Sequence, residues 1–170
     1  GMIPYSESIG FIARVNETDE SDIDYPFYVT AHEMGHQWWA HQLIGGNVQG
    51  STLMSESLAQ YSALMVMEQK FGQDQMKRFL QYELDRYLSG RSFEKKHELP
   101  LYRVEDQGYI YYNKGSVVMY ALRDYIGEDR VNVALAHYLQ DKGYQESPYT
   151  NSIEFLNYLR EITPERYQYL

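Results

Sequence analysis

The stretch His32-Glu33-Met34-Gly35-His36 has the pattern H-E-x-x-H and lies in a segment whose apolar residues recur at helical spacing. Residues four apart on an α-helix differ by only about 40° in direction around the axis, so the imidazoles of His32 and His36 point to the same side. The helix alone therefore predicts two ligands of a divalent metal ion. Glu33 lies one residue further round, where its carboxylate can act as a general base on a water molecule beside the metal.

A third ligand has to come from elsewhere in the chain, because catalytic zinc usually has three protein ligands and an open position for water. Trp39 and Gln42 stand where the longer motif H-E-x-x-H-x-x-G-x-x-H needs Gly and His, so a third nearby His is excluded. A carboxylate on a neighbouring helix is the other source. Glu56 opens the next predicted helix, 19 residues separate it from His36, and a short loop would return that helix antiparallel to the first. We predict Glu56 as the third ligand; the alternative is a first-turn carboxylate stabilised by the helix dipole.

The rest of the chain is dominated by helical periodicity. Helices are predicted from residue 26 up to Gly45-Gly46 and over 53–71, 73–88, 109–126, 128–139 and 153–159, with a surface loop over 91–107. One short strand is predicted at 9–15, a mostly apolar run that contains Ile9, Phe11 and Val15. The expected fold class is therefore mainly α with a short strand remnant at the N-terminus.

Length and composition place limits on the protein class. A chain of 170 residues with 44% hydrophobic and 23% charged residues has the size and composition of a single globular domain, which we take as residues 1–170. Lys and Arg number 15 against 24 Asp and Glu, and a net charge of −9 argues against a nucleic-acid partner. The chain contains no Cys, so any metal must bind through His and carboxylate side chains.

Targeting and membrane signals are missing from the sequence as given. No run approaches about 18 consecutive apolar residues, and residues 1–6 lack the basic and apolar regions of a signal peptide. We therefore expect a soluble chain, without a compartment assignment. Gly1 is typical of a cloning scar, and a lone strand at 9–15 needs a partner strand, so we expect a piece excised from a longer protein.

Two segments together resemble the zinc aminopeptidases of the aminopeptidase N and leukotriene-hydrolase group, which are Glu-liganded zincins with a thermolysin-like catalytic domain. The first segment, residues 32–61, contains the H-E-x-x-H motif, Glu56 and the run Gln37-Trp38-Trp39. The second segment matches the family pattern Y-x-K-G and reads Tyr111-Tyr112-Asn113-Lys114-Gly115.

The resemblance implies a peptidase with one zinc ion and a peptide substrate. It assigns His32, His36 and Glu56 as zinc ligands, Glu33 as the general base, and Tyr112 as the hydrogen-bond donor to the oxyanion of the tetrahedral intermediate. A phenol is a suitable neutral donor to a developing negative charge, since its unperturbed pKa is about 10.

The sequence departs from the family in two places. Those aminopeptidases typically have 18 residues between the second His and the Glu, one fewer than this chain. Their G-x-M-E-N segment supplies a Glu that binds the substrate's N-terminal amine, and its nearest match here is Pro4-Tyr5-Ser6-Glu7-Ser8. Glu7 is therefore the predicted substrate-binding residue, although Pro4 and Ser8 replace the Gly and Asn of the motif.

Three functions follow from these features. The first is an aminopeptidase that removes N-terminal residues, with Glu7 anchoring the free amine. The second is a zinc endopeptidase of the same fold, which applies if Glu7 does not point into the cleft. The third is a peptidase-like binding or assembly module of a larger, membrane-associated protein, because most of the amine-binding motif and the family's flanking β-domain and C-terminal helical domain are missing from the sequence as given.

Overall fold

Six α-helices make up most of the described chain. The computed structural model describes residues 3, 6–16, 18, 19 and 22–169. The helices are α1 (Tyr25–Gly35), α2 (Leu58–Phe71), α3 (Met76–Phe93), α4 (Gly115–Ile126), α5 (Glu128–Lys142) and α6 (Ser152–Ile162). Single π-helical turns lie at Ser8–Ile12, Leu53–Ser57 and Tyr109–Lys114, and short 3₁₀ turns at Gln73–Gln75, Leu101–Arg103 and Glu165–Tyr167. The prediction of a mainly helical chain is confirmed.

The predicted strand at 9–15 is wrong. Ser8–Ile12 forms a π-helical turn instead, and the amides of Ile9 and Ala13 bond to the nearby carbonyls of Ser6 and Ser8. A strand needs a neighbouring backbone to satisfy its amides. The described residues contain only two isolated β-bridges and no strand that could pair with this segment, so its amides are satisfied locally.

The first helix is shorter than predicted. α1 ends at Gly35, and the chain then turns with Ala40 at a φ of 137°, although no Gly or Pro marks this position. The break allows Trp39 to pack into the core, where its indole N–H donates a hydrogen bond to Ser62 on α2 at 2.9 Å. Burial of this large side chain outweighs continuation of a regular helix.

α3 continues past its predicted end at Gly90 and reaches Phe93. Gly90 lies within the helix because the ring of Tyr109 packs against it, and a Cβ at this position would lie 2.5 Å from the Tyr109 ring. This glycine serves close packing between two elements and does not terminate the helix.

α2 is the central helix of the fold. It contributes Leu58, Ala59 and Tyr61 to a core shared with α4, α5 and α6, and Ala63, Leu64 and Met67 to a second core shared with α1 and α3. These buried side chains lie on more than one side of α2, so the helix stands between the two cores. The π-helical turn Leu53–Ser57, which carries Glu56, leads directly into this buried helix and is held in place by it.

None of the described helices has the length and apolar character needed to cross a membrane.

Candidate metal centre

A close contact between α1 and α2 positions the two His residues against Glu56. Gly35 is buried on Ala59, and a Cβ at position 35 would lie 3.1 Å from the Ala59 Cα and 3.3 Å from its Cβ. Only glycine fits this approach without displacement. Since His36 follows Gly35 directly and Glu56 lies one turn before Ala59, the contact brings the two ends of the site together.

The side chains of His32, His36 and Glu56 converge on one point. The Oε2 atom of Glu56 lies 3.3 Å from His32 Nε2 and 3.4 Å from His36 Nε2. Each residue offers a ligand atom within 4.8 Å of the other two. Ligand atoms about 2.1 Å from a tetrahedral ion are about 3.4 Å apart, so this donor set has the chemistry and the spacing that zinc prefers. The structure thus brings together the three residues that the sequence predicted as ligands.

Local hydrogen bonds and charges make the side chains of His36 and Glu56 suited to binding a cation. The Nδ1–H of His36 donates to the Trp39 carbonyl at 2.9 Å, which fixes the orientation of the ring with Nε2 directed at Glu56. Burial by itself would raise the pKa of Glu56, but the rings of His32 and His36 outweigh it and lower the pKa to about 2. Glu56 is therefore ionised at neutral pH. Among the described residues, no group makes a well-formed hydrogen bond to its buried Oε2 atom, which leaves this oxygen available to a metal ion.

Tyr112 lies beside this group of ligands. Its ring centroid is 5.6 Å from that of His32, and burial together with the negative charge of Glu56 raises the pKa of its hydroxyl. The hydroxyl is therefore a neutral donor at physiological pH. Tyr112 and Glu56 both lie in π-helical turns, which occur frequently at functional sites.

A cavity of about 340 Å³ opens next to the ligands. His32, Glu33 and Tyr112 form one wall, so the predicted base and oxyanion donor face the same space. The remaining lining combines aromatic and aliphatic side chains with amides and one residue of each charge: Ile9, Tyr25, Tyr28, Val29, Gln60, Tyr82, Glu83, Arg86 and Asn113.

Comparison with known proteins identifies the family. Residues 1–166 match the peptidase family M1 domain. The chain belongs to peptidase family M1. This confirms the resemblance carried by residues 32–61 and by the Tyr112 segment.

Individual M1 proteins match parts of the chain. It is 25% identical over 153 residues to human endoplasmic reticulum aminopeptidase 2, covering 86% of this chain and 16% of that protein. A mutant two-domain M1 zinc metallopeptidase bound to L-tryptophan superposes with a TM-score of 0.63 at 20% identity, over 84% of this chain and 31% of that one. A mutant enzyme from Deinococcus radiodurans bound to a Tyr-Ser-Ala substrate gives a TM-score of 0.61 at 22% identity, over 79% and 29%. The two solved structures show the fold. The present chain spans less than a third of the length of each of these relatives.

Glu7 is not among the three residues of the ligand group or those that line the cavity. It stands at the start of the π-helical turn Ser8–Ile12 with an exposed side chain, and this turn lines the cavity through Ile9. Pro4 and Tyr5 of the same predicted motif lie outside the described residues. The role of Glu7 in binding the substrate amine stays a prediction.

Glu83 is a functional candidate that sequence reasoning missed. It lines the cavity from α3 but is 0% exposed, and its carboxylate accepts hydrogen bonds from Tyr28, Gln60 and Asn113. A signal was present in the sequence, since Glu83 falls four residues from both Phe79 and Tyr87 on the apolar face of α3.

Proposed function

We propose that this chain is the catalytic domain of a zinc peptidase, in which His32, His36 and Glu56 hold one zinc ion. The convergence of their ligand atoms within 4.8 Å carries the proposal. Membership of family M1 supports it, as do the names of the solved relatives, which are zinc metallopeptidases. We take residues 1–170 as one domain of a longer protein, whose other domains and a peptide substrate are its partners.

The chain's own residues would divide the work of peptide hydrolysis. When bound, zinc supplies a positive charge that acidifies a neighbouring water molecule and polarises the carbonyl of the scissile bond. Glu33, on the cavity wall beside His32, accepts a proton from the attacking water and delivers it to the leaving amine. The Tyr112 hydroxyl donates a hydrogen bond to the carbonyl oxygen as negative charge develops there.

Removal of N-terminal residues is the activity that we propose for this site. The similarity to an endoplasmic reticulum aminopeptidase supports it. An aminopeptidase must recognise a free ammonium group, and a carboxylate does so through a charge-assisted hydrogen bond. Glu7 is the residue that we assign to this role.

Endopeptidase activity is the second candidate, because one observation favours it. Glu7 is exposed, whereas the cavity is lined from the same turn by Ile9. Without a carboxylate that binds the amine, the site would accept a peptide bond far from the N-terminus.

The test is metal analysis of the purified full-length protein, followed by hydrolysis of matched peptides with free and N-acetylated termini. If the protein is an aminopeptidase, it holds one zinc ion and cuts only the peptide with a free N-terminus. Glu7→Gln should then raise KM and reduce the preference for the free over the N-acetylated peptide. An endopeptidase cuts both peptides alike. A protein that cuts neither peptide would refute a peptidase function and favour a binding module.

A further inference from the structure

Glu83 joins the four segments that surround the metal centre. From α3, its Oε1 atom accepts a hydrogen bond from the hydroxyl of Tyr28 on α1 at 2.7 Å and from the amide of Gln60 on α2 at 2.8 Å. Its Oε2 atom accepts from the amide of Asn113, in the turn Tyr109–Lys114, at 2.6 Å. A buried carboxylate needs such donors to offset its lost hydration.

Each of these three partners lies either next to a residue of the proposed site or one helical turn from it. Tyr28 precedes His32 by four residues and Gln60 follows Glu56 by four, so on a helix each pair shares one face. Asn113 directly follows Tyr112. Two contacts of Glu83 therefore lie one helical turn from proposed ligands, and the third lies next to the proposed oxyanion donor.

Substrate contact does not explain this arrangement. Glu83 is 0% exposed and Tyr28 is 1% exposed, so both lie behind the surface of the cavity that they help to form. Burial raises the pKa of Glu83, and the hydrogen bonds from Asn113, Tyr28 and Gln60 only partly offset this. Keeping an acidic group in such a position costs stability, and an apolar side chain would fill the same space without that cost.

We propose that Glu83 is a positioning residue, which fixes α1, α2 and the Tyr112 turn relative to one another. This inference rests on the proposed zinc peptidase function. Through Tyr28 and Gln60 it sets the spacing of His32 and Glu56, and through Asn113 it sets the direction of the Tyr112 hydroxyl. Groups behind a metal site typically alter metal affinity or activity by about 10–100-fold when they are removed.

The test is an exchange of hydrogen-bonding groups between positions 83 and 113 in the full-length protein. In Glu83→Gln, the new amide turns an N–H donor towards the donor group of Asn113 or towards those of Tyr28 and Gln60, so a hydrogen bond is lost unless a partner amide rotates to offer its oxygen. In Asn113→Asp, two carboxyl groups face each other across 2.6 Å. The double variant restores every hydrogen bond, because the new amide donates to the new carboxylate and still accepts from Tyr28 and Gln60.

Two measurements report on positioning. The first is the zinc dissociation constant, determined by competition with a chelator, and the second is the separation of kcat from KM for peptide hydrolysis. Each single variant should weaken zinc binding and lower kcat by about 10–100-fold at a nearly constant KM. The double variant should recover most of both losses.

Glu68→Gln is the matched control. Glu68 is another largely buried carboxylate, bonded to Tyr120 and Arg123 towards the other end of α2. This variant should lower the unfolding midpoint while leaving zinc affinity and kcat unchanged. A Glu83→Gln variant that behaves in the same way, or a double variant that recovers nothing, would overturn the proposal. A parent protein that binds no zinc would instead refute the proposed function, and this would be evident before any variant is made.

Discussion

Gly35→Ala tests whether the contact between α1 and α2 sets the geometry of the metal centre. The added Cβ would lie 3.1 Å from the Ala59 Cα, 3.2 Å from its carbonyl oxygen and 3.3 Å from its Cβ. Two of these three atoms belong to the backbone of α2 and cannot rotate away. The helices must therefore separate by a few tenths of an ångström, and His36 moves relative to Glu56.

The expected cost follows from two opposing effects. Overpacking of a tight contact costs about 1–3 kcal/mol. Replacement of a helical glycine by alanine stabilises the folded state by about 0.4–1 kcal/mol, because it restricts the conformations of the unfolded chain. The net loss is about 1–2 kcal/mol of unfolding free energy, which for a chain of this size lowers Tm by about 2–8 °C. Zinc affinity should also fall, by about 10-fold, because the ligands lose part of their preorganisation.

Gly108→Ala is the matched control for this experiment. Gly108 is also helical, with φ −51° and ψ −43°, but a Cβ there would have no contact shorter than 3.7 Å. Thermal unfolding in the presence of a chelator, together with zinc competition, measures both effects in both variants. If Gly35→Ala is as stable as the parent and binds zinc equally well, the contact does not set the ligand spacing.

Four further predictions test individual side chains. Glu56→Gln should lose zinc to a competing chelator, because an amide is a weaker ligand than a carboxylate; near-stoichiometric zinc would remove Glu56 from the site. Glu33→Gln should retain zinc and lose turnover, since an amide cannot accept the proton from water; parental hydrolysis rates would contradict its role as the base. Tyr112→Phe should lower kcat by about 10²–10³-fold with little change in KM; an unchanged kcat would leave Tyr112 a packing residue. The loss of unfolding free energy caused by Glu83→Gln, measured by denaturant unfolding, should become smaller as pH rises above 4.5, the ordinary pKa of a Glu carboxyl. Above this pH the unfolded parent has released the Glu83 proton while the folded parent still holds it, so the unfolding free energy of the parent falls as pH rises. The variant has no titrating group at this position and does not change in this way; a destabilisation independent of pH would contradict the raised pKa of Glu83.

The convergence of the two His residues among the proposed metal ligands was predictable from the sequence because their spacing is a property of helices. His32 and His36 lie four apart, and the site needs only a helix to align them. Glu56 was predictable as the first carboxylate of the next predicted helix, which a short loop was expected to return towards the first. These inferences required no knowledge of the packing between distant residues.

Tertiary contacts account for what the sequence did not predict. α1 ends early because Trp39 is buried, and Gly90 lies inside α3 because Tyr109 packs on it. Neither event has a local signal in the chain. Glu83 was overlooked because its partners are 55, 23 and 30 residues away in sequence, so only the folded chain shows that they meet.

The π-helical turn Leu53–Ser57 connects one departure in the sequence to the structure. The chain has 19 residues between His36 and Glu56, one more than the aminopeptidases that it resembles. A π-helical turn holds one residue more in each hydrogen-bonded ring than an α-helix does, so it absorbs a single added residue without breaking the helix. The turn Leu53–Ser57 contains Glu56 itself and runs without interruption into α2. The extra residue is therefore compatible with a ligand that still reaches both His rings, at 3.3 and 3.4 Å, while α2 keeps its place in the core.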